Sequence, residues 1–473
     1  MEESEKVQTL QGLAEVKRLR EESAPQRRLA SVRVSPGGYL ATASVLTFAS
    51  ALLLRSDREI WALVFVAVAW LLLPALALTD RLVFDGRSIR RRGLFPLMSR
   101  LVSGNSQRLN VVDFEKVETN AVRTLRRGGR VRYRYRTQVF GKGISFAIVS
   151  GGKSYRQMLR ELLPRIHDQK IDARTRDLRD YVCEPRVLAR NIQQLHLASS
   201  TVLDDATFDL KERLAHRRSS SEAHSAADVE RAVLLRQLAN RLRVAGRLRE
   251  SREAFRRALI VLPGEAGLIY EFARLLRSQA SATGDARLLS RARAALRLAV
   301  SRAGEDATLL TLIGESLIEC GDVVRAERTL HRAVAMGTQS FRARVELADL
   351  ALRNGKLAHV IHYYRDGARL APDKALGVFA RREADYYARL NDDEDYLVAE
   401  LRRINWLQHS TRVRRLTARV TNASILFALA ASYLDPAIGG LGWALASSSL
   451  FAWIASLAVG KVLANRWTPR PAD

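Results

Sequence analysis

Between residue 232 and about residue 400 one pattern of small and large apolar residues recurs at a fixed spacing, which restricts this stretch to stacked copies of one supersecondary unit. The first copy, residues 232–265, carries Leu235, Leu238, Ala239, Leu242, Gly246, Phe255, Ala258 and Pro263, the places a 34-residue helix-turn-helix needs them. The third copy starts at Ala307, with Leu310, Ile313, Gly314, Leu317, Gly321, Ala326, Leu330 and Ala333. The fourth starts at Phe341, 34 residues on, with Leu347, Ala348, Ala351, Gly355, Tyr364, Ala368 and Pro372. Small residues let antiparallel helices approach, large ones fill the layer between neighbours, and Gly and Pro end helices. The second copy starts at Ala266 and is seven residues longer, which predicts a polar stretch over 278–287, with Gly284, between its helices. Phase is recovered at Ala292, Leu296 and Ala299.

Four copies in this register resemble the tetratricopeptide repeat (TPR) family. The pattern departs from the family at Ser251 and Val360, where a small Ala is usual, and at Thr338, where Pro is usual. A fifth hairpin over about 375–408 keeps the period and is rich in Arg, Glu, Asp and Tyr, as an end cap would be. The array, residues 232–408, is therefore expected as a separately folding helical solenoid. The resemblance implies a protein or peptide partner in a concave groove lined by the first helix of each hairpin. The family's groove positions fall on Arg236, Asn240, Arg243, Tyr270, Arg274 and Arg277 in the first two repeats and on Glu315, Glu319, Glu346 and Asp349 in the next two. Arg236 and Asn240 match half of the carboxylate clamp that some members use for a peptide's C-terminal acid. Glu271 stands where the family has Asn, and Thr308 and Leu312 where it has basic residues, so an extended segment with an acidic and a basic end fits better. The plain alternative is that these charges form a solvated helix surface.

The chain carries a formal net charge of +27, which points to anionic neighbours. Its basic residues are mostly Arg spread over every region, and only 7% of residues are aromatic, which favours a membrane surface over a nucleic-acid groove. Nucleic acid is not an expected partner. Cys183 and Cys320 lie far apart, with no disulfide framework and no metal cluster, as in a reducing compartment.

Residues 1–36 are charged and read as a cytosolic, partly helical tail. Residues 37–79 hold two uncharged runs, 38–54 and 60–78, joined by a short polar turn, each about long enough to cross a hydrocarbon core. Trp61 and Trp70 suit interface positions. A second apolar pair, 420–434 and 441–463, lies within the C-terminal segment 409–473. Basic residues flank the outer ends of both pairs, and the loop between the last two runs has none, so the positive-inside rule puts both termini and the whole middle region in the cytoplasm. These features imply a multi-pass protein of a bacterial inner membrane.

Residues 80–166 change character. Residues 82–84 and 88–92 around Asp85-Gly86, then 117–125 and 131–135 around Gly128-Gly129, read as hairpins, and 144–149 as a further strand. Residues 155–166 form an amphipathic helix with Met158, Leu159, Leu162 and Leu163 on one side. The layout, with Thr79-Asp80-Arg81-Leu82 and Arg91-Arg92-Gly93-Leu94-Phe95, is similar to bacterial membrane proteins with a pleckstrin-homology-like (PH-like) domain, which implies a small curled sheet capped by one helix. Alternation puts Arg132, Arg134 and Arg136 on one face of their strand and Val131, Tyr133 and Tyr135 on the other. That basic face is either simply solvated or meets anionic lipid headgroups. Residues 167–231 read as a connector, helical over 205–216 and then a Ser-rich linker.

No catalytic constellation stands out and no cofactor is expected. His359 and His362 share a helix face but lack neighbouring Cys or carboxylate ligands, and surface histidines account for them. Gly151-Gly152-Lys153-Ser154 lacks the upstream Gly of a phosphate loop and sits where a turn is needed. The chain is thus expected to be mainly α: a TPR solenoid, a small β-rich PH-like domain and two transmembrane helical hairpins. Its expected role is a scaffold that binds a protein at the membrane and not an enzyme. The rival is a lipid or envelope sensor in which the β-rich domain does the recognising.

Overall fold

The computed structural model describes residues 30–94, 96–97, 108–125, 131–150, 152–197, 226–336 and 341–464. The chain divides into two compact units. One comprises the segment up to Val34, Thr79–Gly304 and Glu319–Asp322; the other comprises Ser35–Leu78, Glu305–Ile318 and Val323–Asp473.

The first unit is built on two antiparallel sheets. Strands β1 (Ala30–Arg33), β2 (Arg81–Phe84), β3 (Ser88–Arg92) and β4 (Arg108–Asn110) pair in that order, and β5 (Lys116–Leu125), β6 (Val131–Gly141) and β7 (Ile144–Val149) form the second sheet. Alternation buries Leu82, Phe84, Ile89 and Leu109 from one sheet and Val117, Val139, Phe146 and Ile148 from the other. Helix α3 (Gly152–Leu162) closes this core with Tyr155, Met158, Leu159 and Leu162. Each large apolar side chain buried here contributes roughly 1.5–3 kcal/mol.

The predicted hairpins, the strand over 144–149 and the amphipathic helix are present, and three features differ from expectation. Strand β1 lies in the stretch expected as tail. The strands form two sheets and not a single curled one. The β-rich fold also continues past residue 166: Ile171 bridges to Val117, the Asp172 amide donates to the Val117 carbonyl at 3.3 Å, and α4 (Ala173–Tyr181) packs on β5. Helix α5 (Pro185–Gln194) follows, and the helix expected over 205–216 lies outside the described residues.

The first two repeats belong to this unit. Helices α6 (Ala226–Val244), α7 (Leu248–Val261), α8 (Ala266–Thr283) and α9 (Ala286–Arg302) bury the small residues of the pattern, Ala239, Ala258, Ala292 and Ala299. Ser251 is fully buried in place of the usual Ala, and its hydroxyl is satisfied by donating to the Ala239 carbonyl at 2.7 Å. The extra residues of the second repeat lengthen its helices instead of forming a loop; α8 runs on to Thr283, and Gly284 ends it in the left-handed conformation. The array is not separable from the β-rich fold at its start. Val244 packs in the β-rich core, Val131 of β6 packs in the repeat core, and the Tyr135 hydroxyl donates to the Val244 carbonyl at 2.7 Å. Gly246 turns from α6 to α7 at φ +81°, where an added Cβ would stand 2.1 Å from the Val131 carbonyl oxygen.

In the second unit, α10 (Ala307–Glu319, its last residue counted with the first unit) and α11 (Val323–Met336) form the third repeat, and α12 (Phe341–Arg353) and α13 (Leu357–Arg369) the fourth. Ala326, Leu330, Ala333, Ala348 and Val360 are fully buried, and Thr338 lies outside the described residues. The fifth hairpin pairs α14 (Lys374–Asp392) with α15 (Glu394–Leu434). Helix α15 does not stop near residue 408. It runs unbroken for 41 residues, about 60 Å, from the last repeat into the second apolar pair.

Four helices carry the apolar runs: α1 (Gly37–Arg55), α2 (Glu59–Thr79), the end of α15, and α16 (Pro436–Ala464). Close approach depends on small residues. A Cβ on Gly442 would lie 2.8 Å from the Ala428 Cα, and the hydroxyls of Thr421 and Ser449 are 3.0 Å apart. Ser50 donates to the Ala62 carbonyl at 2.9 Å, and the rings of Phe48 and Trp443 are 6.2 Å apart, linking the first pair to the second. Among the described residues two helices, Glu59–Thr79 and Ile438–Gly460, are long and apolar enough to cross a membrane.

Candidate functional site

Two of the groove positions read from the first two repeats, Arg243 and Arg274, converge on one helix of the same chain. Helix α4 starts at Asp172, whose carboxylate accepts from the Thr175 amide at 3.0 Å and, from the sheet, the Thr119 amide at 3.3 Å. A buried row of hydroxyls, Tyr155, Thr137, Thr119 and Thr175, linked at 3.1, 3.1 and 2.9 Å, ties α3, β6, β5 and α4 together. On the far side of α4, Asp177 is buried and gripped by two guanidiniums. Arg243 donates through Nη1 and Nη2 at 2.9 and 2.8 Å, and Arg274 donates through Nη1 at 2.7 Å. Burial alone would raise the Asp177 carboxyl; Arg243, with Arg274 behind it, outweighs that and holds it below the usual carboxylate range. Arg274 also donates to the Ala173 carbonyl at 3.2 Å and stacks over Tyr270.

The half-clamp is closed from within. Glu271 accepts from Arg236 at 2.7 and 2.9 Å, from Asn240 at 2.8 Å and from the Tyr181 hydroxyl of α4 at 3.1 Å, and Glu265 makes a further contact with Arg236. Hydrogen bonding to Glu271 raises Arg236 above its ordinary range; burial and then Glu271 raise Tyr181. Arg277 pairs with Glu319, as does Arg174 at 3.5 Å. Of the six basic-side positions read from the sequence, Arg243 and Arg274 meet α4 directly and Arg236 and Asn240 reach it through Glu271 and Tyr181, while Arg277 pairs with Glu319 and Tyr270 packs under Arg274. Asp177, Tyr181 and the hydroxyl row were not anticipated; the only local signal was Asp172 as a helix cap.

The acidic positions of the second unit are also engaged. Glu315 accepts from Arg342 Nε at 2.8 Å, Glu346 lies 2.6 Å from Arg342 Nη2, and Asp349 accepts from the Tyr364 hydroxyl at 3.4 Å. On β6, Arg132, Arg134 and Arg136 are exposed and alternate with half-buried Tyr133 and Tyr135, as expected. His359 and His362 both pack near the Tyr363 ring, and no group of three metal-ligating side chains occurs among the described residues.

No protein-family model matches this chain, and no curated protein matches it. Solved structures similar to it include "Crystal structure of MamA protein", at 17% identity over 34% of this chain and 92% of that one, with a TM-score of 0.27. Another is "Crystal structure of APC/C hetero-tetramer Cut9-Hcn1", at 12% identity over 66% of this chain and 52% of that one, with a TM-score of 0.29. Both are helical repeat proteins of the TPR type. The chain's own register of small residues, turns and buried layers defines the repeats.

Proposed function

We propose that this chain is a membrane-anchored TPR adaptor that holds a protein partner at the cytoplasmic face of a bacterial inner membrane, acting by binding and not by catalysis. The observation that carries it is the exposed apolar surface of Glu59–Thr79 and Ile438–Gly460, in whose apolar 18-residue stretches only 17% and 11% are buried. Ile60, Leu63, Leu71 and Phe451 are each at least 70% exposed. Such surface costs about 25 cal/mol per Å² in water and is matched by hydrocarbon. The basic flanks orient the protein with its N-terminus, Ser220 and Asp473 inside and with Asp57 and Pro436 outside. Single cysteines placed at Asp57, Ser220 and Pro436 of the full chain in intact cells test this: Asp57→Cys and Pro436→Cys should react with a membrane-impermeant maleimide. Reaction of Ser220→Cys would overturn the orientation, and recovery of the chain in the soluble fraction would overturn the anchor.

The repeats supply the binding role. With Arg243 and Arg274 taken up by Asp177, the half-buried acids Glu346 and Asp349, which Arg342 and Tyr364 hold in place, are left to meet a basic segment of the partner, so capture should weaken with salt. Reversal of Glu346 and Asp349 to Lys should abolish capture from solubilised membranes. A second reading is favoured by the exposed row Arg132, Arg134 and Arg136, which a PH-like domain beside a bilayer would turn to anionic headgroups at about 1 kcal/mol per side chain. Loss of binding to anionic liposomes in the triple Arg→Ser variant, with partner capture intact, would separate the two activities.

A further inference from the structure

A cavity of about 120 Å³ lies beside α4, between the second sheet and the first two repeats, and its walls are dominated by guanidiniums. Arg123 comes from β5, Arg174 from α4, Arg243 from α6, and Arg274 and Arg277 from α8. Arg123 and Ser281 at the mouth are exposed, and Arg243, Arg274 and Asp177 at the floor are buried.

The charges do not balance. Asp177 answers Arg243 and Arg274, Glu319 answers Arg277 and Arg174, and Arg123 has no carboxylate partner among the described residues. Five guanidiniums against two carboxylates leave an excess of three positive charges around one small space. Burial, with Arg174 and Arg274 behind it, pushes the Arg277 guanidinium down to about 10. Cations held against both desolvation and mutual repulsion gain from an anion in their midst. Two hydroxyls at the same cavity are also placed to donate. The Tyr133 hydroxyl has no hydrogen-bond partner among the described residues, and Ser281 stands at the mouth.

We propose that this cavity binds the phosphate group of a phosphate monoester. A monoester carries nearly two negative charges at neutral pH and three acceptor oxygens. Arg123 on the sheet, Arg174 on α4 and Arg277 on α8 approach from three elements, matching a tetrahedral dianion better than a flat monovalent carboxylate. The volume holds about four water molecules, enough for the phosphate and too little for a whole nucleotide, whose remainder would extend past Arg123 into solvent.

The same chemistry is offered by a soluble monoester and by a phosphatidic-acid headgroup, so the test has two arms. The full chain is titrated in detergent with glycerol 3-phosphate, against sodium chloride of equal ionic strength, while its thermal unfolding midpoint is followed. In the second arm the chain is held in nanodiscs with or without phosphatidic acid. A saturable rise beyond the salt control in the first arm, or in the second alone, supports the site and names the source. Arg123→Gln and Arg277→Gln should weaken the response about tenfold or more, the value of one charge-assisted hydrogen bond, and Arg134→Gln on the opposite face should not. Arg123→Gln leaves no buried acid unpaired, so its fold should survive and its melt without ligand serves as the check. No rise in either arm, or an undiminished rise in Arg123→Gln, would overturn the site.

Discussion

Replacing Asp177 by Asn keeps the shape of α4 and removes the charge that Arg243 and Arg274 both grip. Those guanidiniums have side chains only 7% exposed, at the floor of the cavity beside α4. Breaking a buried pair in this way costs about 3–5 kcal/mol, against less than about 1 kcal/mol for an exposed pair such as Arg160 with Glu184. Because the folded carboxyl is held below its unfolded value of about 3.9, its contribution is fully present above that pH and is lost as pH falls through the folded value. Chemical unfolding of the detergent-solubilised chain at pH 7 should show the loss, and the variant should be less acid-sensitive than the parent below about pH 4. Hydrogen exchange should quicken in α4, α6 and α8 together. A cost under about 1 kcal/mol, or exchange that changes in α4 alone, would show that α4 is not locked into the groove.

Other consequences of the packing can be checked in the same way. Gly246→Ala should cost about 1–3 kcal/mol through its positive φ and its approach to Val131, read as a lower unfolding midpoint. Ala326→Phe, at a fully buried helix contact in the third repeat, should cost roughly 1–3 kcal/mol by overpacking, again seen in the melt. A fragment of residues 228–408 lacks β6 and α4, so hydrogen exchange should protect α12 to α14 and leave α6 to α8 open; equal protection throughout would restore the separable solenoid.

The array was legible because its contacts are local in sequence: Ala239 and Ser251, or Gly314 and Leu330, meet within one hairpin, and a Cβ on Gly314 would already stand 2.7 Å from the Leu330 side chain. What the array packs against was not legible. The partners of Asp177 lie 66 and 97 residues away, and nothing in the run Asp172-Ala173-Arg174-Thr175-Arg176-Asp177 distinguishes a buried acid from a solvated one. Strand β1 is four residues beside a charged segment, and its partner β2 comes only after the intervening apolar hairpin. The unbroken α15 could have been foreseen, since residues 394–434 contain neither Gly nor Pro and the next Pro is Pro436, just past Asp435.

The apolar hairpin is an insertion between two paired strands, and the joint where it leaves and returns is built to hold that pairing. The Val34 amide donates to the Asp80 carbonyl at 3.2 Å, so the chain departs from β1 and re-enters β2 at adjacent points. Asp80 is fully buried there and accepts from Arg91 Nε at 2.8 and 3.1 Å. Gly93 crosses directly over the joint at φ +148°, where a Cβ would stand 2.8 Å from the Thr79 carbonyl oxygen and 2.9 Å from the Asp80 Cα. Both obstacles are backbone, so no side chain can swing aside to make room. Gly93→Ala must therefore shift the joint itself, at about 1–3 kcal/mol for the conformation alone and more for the contact. Gly143→Ala, in the β6–β7 turn at φ +72° with open space around it, carries the conformational cost without the contact. Limited proteolysis of the full chain should then cut near residues 79–94 in Gly93→Ala and spare Gly143→Ala. Equal sensitivity in the two variants would mean that the approach of Gly93 does not secure the root of the insertion.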